Sequence, residues 1–325
     1  MATSATIPQM ARQQGRATFL KRVLSGDSLS QAISFICATL ILVLTAGLVY
    51  ELWIHSAASR EKFGLHFLFT STWDPVHEDF GALPFMYGTV MTAALGLLIA
   101  VPFGVGAAIF LAELAPPKLS DGMTFLIELL AAVPSVIFGL IGILVLVPLL
   151  QIVVPPVKDL FGDHPPFFLS GPFQGVSILS AGVVLSVMIA PYIISVSREV
   201  LLAVPKDLRE AALALGATRW ETTWQVVVPF ARRGIMGSIF LALARALGET
   251  MAVTMVIGNT PRIAASLLAS CDSMASVIAS QFSEAIGNLH PSALIELGLV
   301  LFGITIILNG AGRLLVLATG EKGAK

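Results

Sequence analysis

Two ionisable residues sit where so apolar a chain has little room for charge. The run Leu241-Ala242-Leu243-Ala244-Arg245-Ala246-Leu247-Gly248-Glu249-Thr250 lies inside a hydrophobic stretch of about 235–258. If that stretch crosses a bilayer, a lone Arg near its centre costs at least about 2.5–3.5 kcal/mol to insert. Glu249 follows four residues later, so on a continuous helix both heads share one face and meet. One reading is an internal ion pair that only neutralises two charges, and buried pairs are often no more stabilising than apolar replacements. The other is a pair lining a water-filled passage. A guanidinium there suits an oxyanion, because its fork donates two parallel hydrogen bonds. A neighbouring carboxylate suits an anion that still has a proton to donate, as hydrogen phosphate does and sulfate does not. In that reading Glu249 also keeps Arg245 from trapping the anion.

The elements that hold this pair follow from composition. The 325 residues are 56% hydrophobic and 12% charged, with mean hydropathy +0.88. Soluble domains carry about a quarter charged residues, so lipid is the expected solvent. Six stretches are long enough to cross it: about 32–54, 84–112, 123–150, 174–197, 235–258 and 293–317. Each is predicted helical, since lipid offers backbone polar groups no partner. The apolar run from Ala32 to Ile54 exceeds a signal peptide's core of about 7–15 residues and reads as a retained first span. The expected organisation is therefore all-α and polytopic. It comprises an N-terminal cytoplasmic segment of 1–30, a first helix with its outer loop over 31–83, a core of 84–317 and a tail of 318–325.

Orientation follows from basic residues. Of the 19 Lys and Arg, only Arg60, Lys62, Lys158 and Arg262 flank one side, while Arg12, Arg16, Lys21, Arg22, Lys118, Arg198, Lys206, Arg209, Arg219, Arg232, Arg233, Arg313, Lys322 and Lys325 flank the other. The positive side is cytoplasmic, which places both termini and the 198–233 loop there.

That loop has its own device. After Pro205, the run Asp207-Leu208-Arg209-Glu210 predicts a helix start, with Asp207 capping and Glu210 reaching back. Leu208, Ala211, Ala212 and Leu215 then share one face, and Gly216 stops the helix. Thr218-Arg219-Trp220-Glu221 reads as a second capping box, opening a helix that runs toward Pro229. Helix, Gly turn, helix fits a DNA-binding unit, a hairpin lying on lipid headgroups, or a docking helix for a cytoplasmic motor. Tethering close to the bilayer at both ends argues against DNA.

Other features are quieter. Gly96, Pro102, Gly104, Pro134, Gly139, Gly182 and Pro191 suit close helix packing and bends. Pro134-Ser135 marks the expected bent, pathway-lining stretch, and Thr250 is a further candidate lining residue. Trp73 and Phe80 are expected at the outer interface, with His77, Glu78 and Asp79 in a solvated turn rather than a metal site. The segment 151–173, with Pro155, Pro156, Pro165, Pro166 and Pro172, reads as an irregular outer connection. Glu128 and Glu296, near span ends, read as structural. Cys37 and Cys271 cannot pair and read as small apolar fillers. No Gly-rich Lys-Ser/Thr phosphate loop, nucleophile–base set or metal-ligand cluster is found in the spans, so neither catalysis nor a bound metal or cofactor is expected of this chain.

Glu210-Ala211-Ala212, Gly216 and Pro229 stand at the spacing of the EAA signature of ABC importer permeases, with Val226 and Val228 where that family has Ile and Leu. The resemblance implies a MetI-like, type I importer permease fold and a coupling helix over about 207–222 that docks on a nucleotide-binding subunit. It sharpens at Arg245-Ala246-Leu247-Gly248-Glu249-Thr250-Met251-Ala252, which resembles the PstC-type phosphate permeases, as do Trp73-Asp74-Pro75, Phe80-Gly81-Ala82-Leu83-Pro84, Gly258-Asn259, Ser276-Val277-Ile278-Ala279 and Ser292-Ala293-Leu294-Ile295-Glu296-Leu297-Gly298. The resemblance spans roughly 65–315. It implies phosphate translocation through Arg245 and Glu249 in a bacterial inner membrane. It also implies a second, PstA-like permease, a PstB-like ATPase dimer that binds ATP and Mg2+, a periplasmic or lipid-anchored PstS-like phosphate-binding protein, and no nucleic acid. A permease for sulfate, molybdate or phosphonate, or a stand-alone secondary anion carrier, are the alternatives.

Overall fold

The computed structural model describes residues 27–161 and 166–321. The N-terminal segment before residue 27, with its four basic residues, Pro165, and the last four residues, with Lys322 and Lys325, lie outside the described residues. Two compact units are separated by contacts, Met1–Ile54 and His55–Lys325. The helix α1 (Asp27–His55) fills the described part of the first and is apolar along its length.

The second unit opens with a short helix α2 (Ala57–Phe63) and an antiparallel hairpin of β1 (Trp73–Asp74) and β2 (Asp79–Phe80), in which Trp73 pairs with Phe80 and Asp74 with Asp79. Helices then follow in order: α3 (Leu83–Ile109), α4 (Pro117–Ala131), α5 (Ser135–Ile141), α6 (Val147–Asp159), α7 (Ile178–Leu202), α8 (Lys206–Ala214), α9 (Arg219–Thr222), α10 (Val228–Leu247), α11 (Met251–Ile257), α12 (Met274–Gln281) and α13 (Leu289–Glu321). Single π-helical turns close α3 (Phe110–Leu114), join α5 to α6 (Gly142–Leu146) and join α9 to α10 (Thr223–Val227). Six stretches are long and apolar enough to cross a membrane: Ser30–His55, Leu83–Leu114, Ser135–Asp159, Ile178–Leu202, Arg219–Leu247 and Leu289–Leu314. The all-α, six-span expectation holds.

The core is organised around α7, which packs most extensively on α3 and then on α10. Small residues permit the approach. A Cβ on Gly182 would lie 2.5 Å from Leu95 Cδ2, and one on Gly104 would lie 2.9 Å from Ile193 Cγ2. Leu185, Ile189 and Ile193 are fully buried in that seam. A second cluster of Phe67, Phe80, Phe85, Met274, Leu294 and Leu297 seals the hairpin end. A third, with Ile109, Leu201, Val204, Val227 and Ile235, seals the opposite end beneath the loop that carries α8 and α9.

Four expectations need correcting. The third span is not continuous over 123–150. Pro134 lacks an amide hydrogen and excludes helical geometry before it, so α4 ends at Ala131 and the chain restarts at Ser135. The restarted helix runs to Asp159 through Pro155 and Pro156, so the irregular connection begins after residue 159 rather than at 151. The fifth span is not continuous over 235–258 either. It is helical from Arg219 to Leu247, breaks at Gly248-Glu249-Thr250, and restarts as α11. Phe80 is fully buried rather than interfacial, stacked on the His290 ring at 5.2 Å and edge-on to Trp73 at 4.8 Å. Trp73 is half-buried and donates its indole N–H to Gln281 Oε1 at 3.0 Å, which draws it into the same cluster.

The turn of the hairpin is solvated as expected. Asp74 Oδ1 accepts the amides of Val76 and His77, and its Oδ2 meets His77 Nδ1 at 2.6 Å, which lowers the Asp74 pKa and raises that of His77. The loop between α11 and α12 folds back on α11, with Cys271 N–H donating to Ile257 O at 3.1 Å. Cys271 is buried there, which raises its thiol pKa to about 11. Asp272 is 1% exposed, and burial pushes its carboxyl up to about 6 against hydrogen bonds from Ser276 and Ser273.

Candidate functional site

The loop between α7 and α10 is preformed. α8 follows Pro205 without a side-chain cap, so Asp207 lies in the first turn, where its charge suits the helix dipole, and not at the capping position expected for it. The other end matches a Schellman stop: Ala217 N–H donates to Ala212 O at 3.2 Å and Gly216 N–H to Leu213 O at 3.0 Å. Gly216 adopts φ +90°, a conformation that side chains resist. The second capping box forms in full, with Thr218 Oγ1 accepting from Glu221 N–H and Glu221 Oε2 accepting from Thr218 N–H at 2.8 Å. Pro229 does not end this helix. The π turn Thr223–Val227 precedes it and Pro229 sits in the first turn of α10, where no amide hydrogen is needed. Glu210, Ala211 and Gly216 are exposed and Ala212 is half-buried. Leu208 and Leu213 are also exposed, as is Leu215 just past the end of α8, so these apolar side chains turn outward.

Sequence reasoning missed what holds this device to the bundle. Arg209 forms a forked pair with Glu113, Nε to Oε2 at 3.2 Å and Nη2 to Oε1 at 2.7 Å. The same guanidinium donates to the carbonyls of Leu201 and Val204 at the end of α7. Glu113 lies in the π turn that closes α3, and its side chain is 10% exposed. Next to it, Arg198 donates to Ser120 Oγ at 3.2 Å, and that hydroxyl donates to Leu111 O at 2.8 Å. The legible signal was Glu113 itself, a carboxylate at the end of an apolar run facing a basic loop.

At the end of the fifth span the arrangement differs from the expected one. Arg245 is in the last turn of α10, where a cation suits the helix dipole. Because the helix ends at Leu247, Glu249 does not share its face, and no ion pair joins the two among the described residues. Glu249 instead turns toward α11 and accepts the Ala252 N–H on Oε1 at 3.3 Å. Arg245 has no hydrogen bond or ion pair to any described residue, and its Nε is buried without a partner. Its guanidinium carbon lies 4.3 Å from the ring centroid of Tyr192 on α7. Tyr192, which the sequence did not single out, donates its hydroxyl to Ala131 O at 2.9 Å, the last residue of α4 before the Pro134 break.

The two breaks belong together. A Cβ on Gly139 of α5 would lie 2.6 Å from Met255 Sδ and 3.1 Å from Ala252 Cα, so the restarted halves pack backbone to backbone. Ser135 opens α5, and Thr250, at the head of α11, accepts the Thr254 N–H and hydroxyl on its carbonyl. The Arg245 guanidinium thus stands beside two interrupted helices with no carboxylate paired to it among the described residues.

Known proteins share this architecture. Residues 100–319 match the family described as binding-protein-dependent transport system inner membrane component. The chain is 43% identical to a phosphate transport system permease protein PstC of Mesorhizobium japonicum, over 94% of this chain and 95% of that one. It is 46% identical to the PstC protein of Haemophilus influenzae, over 89% and 93%. Among solved structures, a bacterial alginate ABC transporter in complex with its pentasaccharide-bound periplasmic protein aligns with TM-score 0.58 and 15% identity, covering 86% of this chain and 92% of that one. An inward-facing MetNI methionine ABC transporter aligns with TM-score 0.53 and 17% identity, covering 76% and 99%. At such identities the last two speak to fold alone. The chain belongs to the binding-protein-dependent transport system inner membrane component family, among its PstC permeases.

Proposed function

We propose that this chain is a permease subunit of an ATP-driven importer of inorganic phosphate. The observation that carries the cargo assignment is Arg245, a half-buried guanidinium with no anionic partner among the described residues, beside two broken helices. The relatives that match nearly its full length are phosphate permeases, which favours phosphate over sulfate, molybdate or phosphonate. The same family membership weighs against a stand-alone carrier.

In this reading Arg245 binds the anion in transit through its guanidinium N–H groups. Glu249 holds the head of α11 and faces the anion with a carboxylate that only a protonated oxyanion can satisfy. Pro134, Ser135 and Thr250 line the passage at the breaks. Both termini and the 198–233 loop lie in the cytoplasm of a bacterial inner membrane. There Glu210, Ala211, Ala212 and Gly216 form the docking face for an ATPase dimer, which binds ATP and Mg2+, and Pro229 anchors the return of the chain. A second, PstA-like permease completes the pathway, and a phosphate-binding protein delivers cargo at the hairpin end. Movement of α8 reaches α3 and α7 through Arg209, Glu113 and the carbonyls of Leu201 and Val204.

The test is ATP-dependent phosphate uptake in vesicles with Arg245→Ala beside wild type at matched expression. Uptake is expected to be lost while the complex still assembles. Wild-type uptake by the variant would refute the role of Arg245, and a tagged chain that never co-purifies an ATPase would refute the importer.

A further inference from the structure

The geometry points to Tyr192 as a positioning residue that sets the orientation of Arg245 and ties it to the break in the third span; this rests on the anion-permease reading above. Three observations meet at this side chain. The guanidinium carbon of Arg245 lies 4.3 Å from the Tyr192 ring centroid, within the range of a cation–π contact. The Tyr192 hydroxyl donates to Ala131 O at 2.9 Å. That carbonyl is freed because the chain leaves helical geometry before Pro134. Arg245 itself has no hydrogen bond or ion pair among the described residues, so the ring is its one described contact with a directional preference.

Physical chemistry says what this contact does. An Arg on a helix end has several rotatable bonds, and an oxyanion needs its N–H fork presented in a fixed plane. A ring face attracts the cation without occupying any N–H donor, so the guanidinium is oriented and still free to bind. A carboxylate partner would orient it too, but would compete for the same donors. Glu249, the nearest candidate in sequence, is instead engaged with the Ala252 amide. Because the other end of Tyr192 is bonded to Ala131, a shift of α4 relative to α5 moves the ring and carries the guanidinium with it. One rigid side chain therefore links the bend at Pro134 to the cation that meets the cargo.

The test is a double-substitution series in the complete reconstituted importer: this chain with its partner permease, ATPase and binding protein in proteoliposomes. Uptake per ATP hydrolysed is measured for Tyr192→Phe and Tyr192→Leu, each with Arg245 and with Arg245→Lys. The cargo is whichever of phosphate, sulfate or molybdate the wild-type complex carries, so a wrong cargo assignment and a wrong role for Tyr192 give different results. Tyr192→Leu is expected to lower uptake about tenfold beside Arg245, the scale of a desolvated cation–π contact. Beside Arg245→Lys it should cost less than about twofold, because an ammonium has no fork plane for the ring to set. Tyr192→Phe, which keeps the ring but cuts the tie to Ala131, should recover most of the loss and fall about threefold short of wild type, the scale of one lost hydrogen bond; a Tyr192→Phe equal to wild type would overturn the tie to the break. Equal losses from Tyr192→Leu in both backgrounds, or Tyr192→Phe as poor as Tyr192→Leu, would overturn the proposal. If Leu lowers the yield of assembled complex, Tyr192→Met takes its place with the same two outcomes.

Discussion

Arg209 and Glu113, 96 residues apart in sequence, close a forked ion pair of 2.7 and 3.2 Å between the 198–233 loop and the end of α3. The Glu113 side chain is 10% exposed and that of Arg209 is 19% exposed, so neither charge is left to water. Removing one partner of such a pair strands the other. Arg209→Ala is expected to cost roughly 3 kcal/mol of stability and to raise ATP hydrolysis without matching transport. The purified complex would show both, by thermal melting and by the ratio of uptake to hydrolysis. An unchanged ratio would mean that the pair does not transmit force.

Glu249 separates two roles by a single atom. Its Oε1 accepts the Ala252 N–H, and a glutamine keeps that acceptor while losing the charge. Glu249→Gln is therefore expected to melt like wild type, whereas Glu249→Ala loses about 1 kcal/mol as an ordinary lost cap does. If the carboxylate also screens the cargo, Glu249→Gln admits sulfate. A variant with unchanged phosphate flux and no sulfate flux would leave Glu249 as a cap alone.

Gly216 stands at φ +90° with nothing near the place a Cβ would occupy. Gly216→Ala therefore tests backbone strain rather than a clash. The expected cost is about 1–2 kcal/mol, felt within the α8–α9 hairpin. Capture of the ATPase subunit by tagged permease should weaken several-fold, while phosphate-binding-protein docking at the other end is unaffected. Equal capture by both chains would mean that the Schellman stop is dispensable for docking.

Asp272 gives a pH dependence with a definite sign. Burial raises its pKa in the folded chain to about 6 from an ordinary 3.8. The folded state therefore holds a proton that the unfolded state has released between those values. Its contribution is fully present below about pH 4 and is lost as pH rises through about 6, a change of about 3 kcal/mol. Melting of wild type and Asp272→Asn between pH 4.5 and 7.5 checks this. The wild-type chain should weaken relative to the variant up to about pH 6.5 and run parallel above it.

The sequence was most legible where one local rule dominated. Long apolar runs named the spans, and Thr218 with Glu221 named a capping box that formed atom for atom. It was least legible where the chain interrupts itself. The spacing of Arg245 and Glu249 placed them together only on an unbroken helix, and the break at Gly248 put them to different uses. Hydropathy cannot see that break, because Gly248 and Thr250 are as acceptable to lipid as their neighbours. Tyr192 and Glu113 were missed for another reason. Each acts on a residue more than 50 positions away, and no local pattern encodes that distance.

The outward apolar side chains at α8 have a consequence for the supply of subunits. Leu215 is 90% exposed, with Leu213 at 44% and Leu208 at 37%. On a chain without its motor, that patch is the kind of surface that chaperones and proteases bind. We predict that an orphan copy turns over faster than an assembled one, so that the ATPase sets how much of the permease persists. Pulse-chase half-lives with and without the ATPase would read this directly; equal half-lives, or no gain from Leu215→Gln in the orphan chain, would count against it.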